Sequence, residues 1–282
     1  MVNAEAGLLD LHAHSRASDG TLSPASLAAA AAGAGLTAMA LTDHDTVDGV
    51  AEFLAARAEA ALDLIGGVEI SLEHPGTFHL LGLNVAGDSE IPAELGRLKT
   101  FRVERNLRML ERIGRLGYRL PWEALLKVSH GGQMGRPHFA TLLVERGFFR
   151  SRDEVFDKLL GKGRPGYVNK TRLSPADGLA MIRAAGWAPV LAHPVSLGLA
   201  PEDWPDWLGR LKDGGLVGLE VYHPGQGPDL SAFFLSLARR FDLAPTAGSD
   251  FHGETKPAAP LGWTVKNSPL GREMLEDLRS RL

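Results

Sequence analysis

Asp10-Leu11-His12-Ala13-His14 and Gly248-Ser249-Asp250-Phe251-His252-Gly253 place metal-ligand side chains at opposite ends of a 282-residue chain. In each segment the candidate ligands are two residues apart. On an extended strand that spacing turns both side chains to one face, so each pair can converge on one ion. Leu8 to Leu11 is an apolar run suited to a buried strand, and Leu243 to Ala247 is a weaker one. The polar pairs therefore follow strand ends, where open α/β sheets and (β/α) barrels gather their active sites. A fold for this chain has to bring its two ends to a shared polynuclear site.

Between those ends the pattern alternates strand and helix. Strands are expected at Leu8 to His14, Thr37 to Thr42, Leu64 to Ile70, Thr77 to Leu83, Ala188 to Ala192, Leu216 to Tyr222 and Leu243 to Ala247. His74-Pro75-Gly76 reads as a turn joining the third and fourth. Ser23-Pro24 opens an Ala-rich helix to Ala32, and Ser174-Pro175 opens another to about Ala185, each with a cap and a proline in the first turn. Further helices are expected over Val47 to Ala61 and Leu230 to Phe241. Seven strands mostly separated by helices favour a barrel of the (β/α) type over an antiparallel sandwich.

The stretch from about Leu98 to Arg164 lacks strands and is rich in arginine. Arg102, Arg105, Arg108, Arg112, Arg115 and Arg119 recur at helical spacing, with Val103, Leu107, Leu110 and Ile113 assigned to the opposite side. This predicts a helical insertion, residues 98–164, packed by an apolar face with a basic face left to solvent. Residues 1–97 and 165–282 would form the barrel.

The chain has no cysteine, so disulfides and thiolate metal sites are excluded and any metal must be held by His, Asp and Glu. Such donors suit Mn²⁺, Zn²⁺ or Fe²⁺ better than a soft metal. A net charge of −4 argues against general affinity for nucleic acid. No secretion signal is read in residues 1–30 and no long apolar run elsewhere, so a cytoplasmic protein without membrane association is expected. No obligate protein partner is evident.

His12, His14, His44, His79, His193 and His252, with Asp19, Glu69 and Asp250, fall at or near the ends of successive expected strands. Taken singly, each reads more readily as a solvated or hydrogen-bonded side chain than as a ligand, and His79 as a core residue of an apolar strand. Their number and order point to metal instead. His-x-His, Thr42-Asp43-His44, Gly67-Val68-Glu69, Ala192-His193-Pro194 and Gly248-Ser249-Asp250-Phe251-His252 together resemble the motifs of PHP (polymerase and histidinol phosphatase) domains, over about residues 7–97 and 165–265. The resemblance implies an α/β fold, a distorted (β/α)₇ TIM-like barrel, holding two to three divalent ions. Mn²⁺ is expected, with Zn²⁺, Fe²⁺ or Mg²⁺ as alternatives. His12, His14, Glu69 and Asp250 would hold the first ion; Glu69 would bridge to a second, bound also by His79 and His193; Asp19, His44 and His252 would hold the third. Asp19 stands where many relatives have histidine, which makes that site harder. Asp10, Asp43 and Asp45 would either orient ligand histidines or be plain loop acids.

Such a centre suits phosphoester hydrolysis. A water shared by two cations about 3.5–4 Å apart loses its proton near neutral pH, giving a metal-bridged hydroxide as nucleophile with Glu69 bridging. His223, at another strand end, would contact substrate, donate a proton or serve structure. Gly135-Arg136-Pro137-His138 and the arginine-bearing helix resemble a PHP subgroup of nucleoside 3′,5′-bisphosphate phosphatases and 5′→3′ exonucleases on short RNA. Arg136, His138 and Lys170 would then hold a second phosphate. The expected substrate is a small phosphorylated nucleotide, with short RNA ends as a further class. The alternatives are a histidinol-phosphatase-like or other small-molecule phosphatase, and a non-enzymatic metal-binding module supporting a polymerase.

Overall fold

Seven strands follow one another around a single sheet in sequence order: β1 (Leu8–Asp10), β2 (Leu36–Leu41), β3 (Asp63–Ser71), β4 (His79–Leu83), β5 (Ala188–Leu191), β6 (Gly218–Tyr222) and β7 (Ala244–Ala247). The computed structural model describes residues 8–60, 62–87, 95–129, 132–169, 172–262 and 271–282. Helices α1 (Pro24–Gly33), α2 (Val50–Ala55) and α3 (Arg57–Ala60) lie in the first half. The segment between β4 and β5 is helical: α4 (Leu95–Arg115), α5 (Trp122–Val128), α6 (Arg136–Glu145), α7 (Arg152–Val155), a π turn (Phe156–Leu160) and α8 (Pro175–Ala184). α9 (Trp204–Asp213), α10 (Pro228–Arg240) and α11 (Glu273–Ser280) complete the chain.

All neighbouring strands are parallel except β4, which runs antiparallel to both β3 and β5. The short turn at 74–76 leaves no room for a crossover helix, so β3 and β4 form a hairpin and the barrel is distorted there. Beyond the strand ends, Leu11 N–H donates to Ala247 O (2.9 Å), Asp250 N–H to His12 O (2.8 Å) and His14 N–H to Phe251 O (2.9 Å). These bonds draw the two ends of the sheet together into a nearly closed barrel and put both ligand-bearing segments on one rim.

Alternation along the strands explains the core. Ala38 and Ala40 join Leu9, Leu11, Ile65, Val190 and Ala244 inside the barrel, where α11 contributes Leu275 and Leu278. Met39 and Leu41, the intervening residues of β2, pack outward with Leu27 of α1 and Phe53 of α2. Ser23 and Ser174 cap α1 and α8 by accepting the N–H three residues on, with proline in the first turn. The helix expected over Val47 to Ala61 is instead interrupted at Ala56 into α2 and α3. Among the described residues no helix is long and apolar enough to cross a membrane.

The helices between β4 and β5 have a hydrophobic cluster of their own, including Met109, Ile113, Leu125, Phe139, Leu143 and Leu160. The expected orientation of α4 holds at Arg108, Arg112 and Arg115, which are exposed, and at Ile113, which is buried, but fails in its first half. Val103 and Leu107 are 45% and 48% exposed, whereas Arg102 and Arg105 are only 7% and 5% exposed. The buried stripe runs through Arg102, Arg105, Asn106, Met109 and Ile113, which keeps the helical period but rotates the face. Hydrogen bonding offsets part of its cost: Arg102 pairs with Asp45, and Arg105 Nη2 donates to Asn106 Oδ1 at 2.7 Å, while Arg105 Nε is buried without a partner.

Candidate metal centre

His12 and His14 follow β1 and are fully buried, while Leu11 and Ala13, on either side of His12, face the hydrophobic clusters. Glu69, also fully buried, projects from β3 into the middle of the same rim. Its Oε1 lies 2.6 Å from His79 Nδ1, 2.9 Å from His193 Nε2 and 3.5 Å from His12 Nε2. Its Oε2 lies 2.8 Å from His44 Nδ1 and 3.3 Å from His14 Nε2. Asp250 Oδ1 is 3.2 Å from His14 Nε2 and 3.6 Å from His12 Nε2. Asp19 Oδ1 is 3.2 Å from His252 Nε2 and 3.9 Å from His44 Nε2.

These side chains fall into four overlapping groups whose donor atoms lie within 4.8 Å of one another: His12, His14 and Asp250; His12, Glu69 and His193; His44, Glu69 and His79; and His14, Asp19, His44 and His252. Asp250 and His252 thus sort into different groups, although His252 Nδ1 lies only 3.4 Å from Asp250 Oδ1. The donors fit divalent ions on a specific ground. His12 Nε2, both nitrogens of His14, His44 Nδ1 and Glu69 Oε2 are buried without a hydrogen-bond partner. Buried imidazole nitrogens and a carboxylate oxygen that converge without hydrogen bonding to one another fit a cation held between them.

The electrostatics agree with this. Burial would raise the pKa values of Asp19, Glu69 and Asp250, yet the surrounding histidines hold all three well below the carboxylate range. Burial likewise opposes protonation of His14, but Asp250 and Glu69 raise its pKa to about 10. His79 goes the other way: burial dominates and lowers it to about 4 despite Glu69. Backbone strain also collects here, since Asp45, His193 and Asp250 have φ of 52°, 25° and 52°.

Asp10, Asp43 and Asp45 are not solvated loop acids. All three are buried, and they hold backbone and hydroxyl groups or an arginine rather than ligand imidazoles. Asp10 accepts from the N–H groups of His12 (3.3 Å), Ser249 (2.9 Å) and Gly262 (2.9 Å), tying the two ligand segments together. Asp43 accepts from Ser15 N–H (2.9 Å) and from the Ser15 and Ser18 hydroxyls (2.7 and 2.6 Å), fixing the loop that carries Asp19. Asp45 accepts from Ser71 N–H (3.1 Å) and pairs with Arg102.

Two adjoining cavities open over the cluster. The larger, about 410 Å³, is lined by the candidate ligands other than His12 and His14 and by His223, Arg152 and Lys256. The smaller, about 190 Å³, shares Asp19, His44 and His79 with it and is walled by Arg102, Arg105, Arg136 and Arg172. Arg136 at the start of α6 lies between two rings, its Cζ 5.8 Å from the Phe156 centroid and 5.3 Å from that of Tyr167. Of the four arginines, Arg102 pairs with Asp45 behind the pocket wall. His138 is turned away: its Nδ1 accepts from Gly135 N–H at 3.0 Å and caps α6, and it lines neither cavity. Lys170 lies outside the described residues. His223 Nδ1 accepts from Gly225 N–H at 2.9 Å, and its Nε2 faces Asp250 Oδ2 at 3.5 Å.

Sequence reasoning missed the functional placement of Arg102 and Arg105, Arg172, Lys256, which pairs with Asp250, and above all Glu220. Glu220 sits on β6, 1% exposed, with Oε1 3.0 Å from His12 Nδ1. The signal was there: a lone acid in the apolar strand Gly218-Leu219-Glu220-Val221-Tyr222.

Comparison with known proteins adds a family. The PHP domain model matches residues 10–147. A 3′,5′-nucleoside bisphosphate phosphatase of Chromobacterium violaceum is 32% identical, with 97% of each chain covered. A 5′-3′ exoribonuclease of Haemophilus influenzae is 32% identical over 90% of this chain and 91% of that one. A solved structure from Bifidobacterium adolescentis, provisionally named a metal-dependent phosphoesterase, superposes with a TM-score of 0.85 at 30% identity, covering 97% and 96% of the two chains.

Proposed function

The chain belongs to the PHP family and is a metal-dependent phosphoesterase; we propose that it removes the 3′-phosphate from nucleoside 3′,5′-bisphosphates and acts on the 5′ ends of short RNA. One observation carries this reading. The four-arginine cavity adjoins the ligand cluster, so two anion-binding places lie side by side. A substrate with two phosphates fits both at once, whereas a monophosphate leaves one empty.

In this reading His12, His14, Glu69 and Asp250 hold one ion, Glu69, His79 and His193 a second, and Asp19, His44 and His252 a third. Divalent cations there, Mn²⁺ foremost, would activate water and offset charge on the phosphate oxygens. The remaining work falls to the protein. Arg136, kept in place by Phe156, Tyr167 and a 3.2 Å bond to Leu160 O, offers its planar fork to the second phosphate together with Arg105 and Arg172. His138 serves indirectly by holding the start of α6. With its Nδ1 accepting from Gly225, His223 carries its proton on Nε2, facing the larger cavity, where it serves the departing oxygen. The helices of residues 98–164 act as the substrate-capping unit over the barrel.

A histidinol-phosphate-like substrate is disfavoured, because its cationic end would meet guanidinium groups. The test compares phosphate release from 3′-phosphoadenosine 5′-phosphate, AMP and histidinol phosphate by the Mn²⁺-loaded protein. The bisphosphate should be turned over with the highest kcat/KM. Equal or faster turnover of either monophosphate would overturn the assignment.

A further inference from the structure

Glu220 belongs to none of the four ligand groups, yet it is bonded to two ligand residues. Its Oε1 lies 3.0 Å from His12 Nδ1, and its Oε2 accepts the backbone N–H of His193 at 2.5 Å. His12 and His193 stand in one group with Glu69, and His12 stands in another with His14 and Asp250. His193 begins a 3₁₀ turn with φ of 25°, a left-handed conformation that a non-glycine residue keeps only when its surroundings hold it. A Cβ added at Gly248 would run into His12 Cβ and Glu220 Oε1, so the end of β7 closes over this contact.

We infer that Glu220 is a positioning residue that sets the His12 tautomer and pins His193, so that both present lone pairs across Glu69. The inference rests on the metal-centre reading above but not on the identity of the substrate. An ionised carboxylate accepts hydrogen bonds and donates none. His193 N–H can only donate and occupies Oε2. Oε1 therefore requires a proton on His12 Nδ1, which leaves the lone pair on Nε2. That is the atom with no hydrogen-bond partner, 3.5 Å from Glu69 Oε1 and 3.6 Å from Asp250 Oδ1. His193 follows the same logic at its other end. The Ser196 hydroxyl donates to Thr77 O (2.9 Å), so it accepts from His193 Nδ1 at 2.8 Å and leaves the Nε2 lone pair facing Glu69.

Glu220→Gln isolates this role without changing volume. The amide has one accepting atom and one donating atom. If its oxygen serves His193 N–H, its NH₂ faces His12 Nδ1, which must then accept. The His12 proton moves to Nε2 and removes the lone pair. The flipped amide instead sets NH₂ against the His193 N–H. Either arrangement damages the centre, whereas Glu220→Asp keeps the acceptor-only chemistry at shorter reach.

The experiment is zinc titration of the metal-free full chain by calorimetry, with elemental analysis and two-bond ¹⁵N–¹H spectra of the imidazoles in the zinc-loaded form. In wild type, His12 should carry its proton on Nδ1. Glu220→Gln should bind zinc about 10–100-fold more weakly, and Glu220→Asp should fall between it and wild type. A wild-type His12 protonated on Nε2 would overturn the inference even if neither variant folds. So would a folded Glu220→Gln protein with wild-type zinc affinity. Wild type that binds zinc with this tautomer but hydrolyses no nucleotide would sink the proposed substrate and leave Glu220's role intact.

Discussion

Replacing Arg105 by methionine should make the phosphate-free protein more stable and the enzyme worse. Burial, and then Arg102 and Arg136 beside it, push the Arg105 pKa down to about 9. A displacement of that size corresponds to roughly 5 kcal/mol of lost hydration and repulsion. The bond to Asn106 Oδ1 offsets about 1–3 kcal/mol of it. Methionine keeps much of the buried stem and removes the charge, so Tm should rise by several degrees, at about 2–4 °C per kcal/mol for a chain of this size. With substrate the order reverses. Loss of a charged hydrogen bond to phosphate costs about 1.5–3 kcal/mol, or roughly 10- to 150-fold in kcat/KM on a bisphosphate. A substrate with a single phosphate, held at the ligand cluster alone, should change by less than about threefold. Thermal melts and kinetics on both substrates check this. A lower Tm combined with equal losses on both substrates would refute the reasoning, because Arg105 would then be holding structure rather than waiting for an anion.

Two further outcomes follow from the ligand cluster. His14, raised to about 10, stabilises the metal-free fold fully below about pH 6.5, and that contribution is lost as pH rises through about 10. A metal must displace this proton, so metal affinity should climb by up to about tenfold per pH unit between about pH 6 and 9, with proton release seen by calorimetry in buffers of different ionisation heat; affinity flat with pH would contradict it. Gly248→Ala forces a methyl group into His12 and Glu220, and should cost about 1–3 kcal/mol in urea unfolding along with weakened metal binding; a variant unchanged in both would show that the close approach is not needed.

The clustering of the candidate ligands was legible because strand geometry is short-range: once Leu8 to Leu11 is extended, His12 and His14 share a face, whereas Asp250, left-handed at φ 52°, leaves strand alternation and sorts apart from His252. The arginine pocket was not legible for a complementary reason. Helical periodicity fixes the spacing of a stripe but not which stripe faces inward, and on α4 apolar Val103 and Leu107 argued for one face while Arg102 and Arg105 occupied the other. The partner that lets Arg102 be buried, Asp45, is remote in sequence and lies in a loop after β2, so no local window contains both. His138 is the opposite case: the motif marked it as a substrate contact, while its ring was needed to cap α6. Residues that break the local burial rule and are nonetheless held by a specific partner are therefore the better guide to chemistry here. Asp10 in β1, Glu220 in β6 and Arg105 in α4 each break it. The first ties the two ends of the chain together, the second aims His12, and the third guards the place beside the metals where a second phosphate would sit.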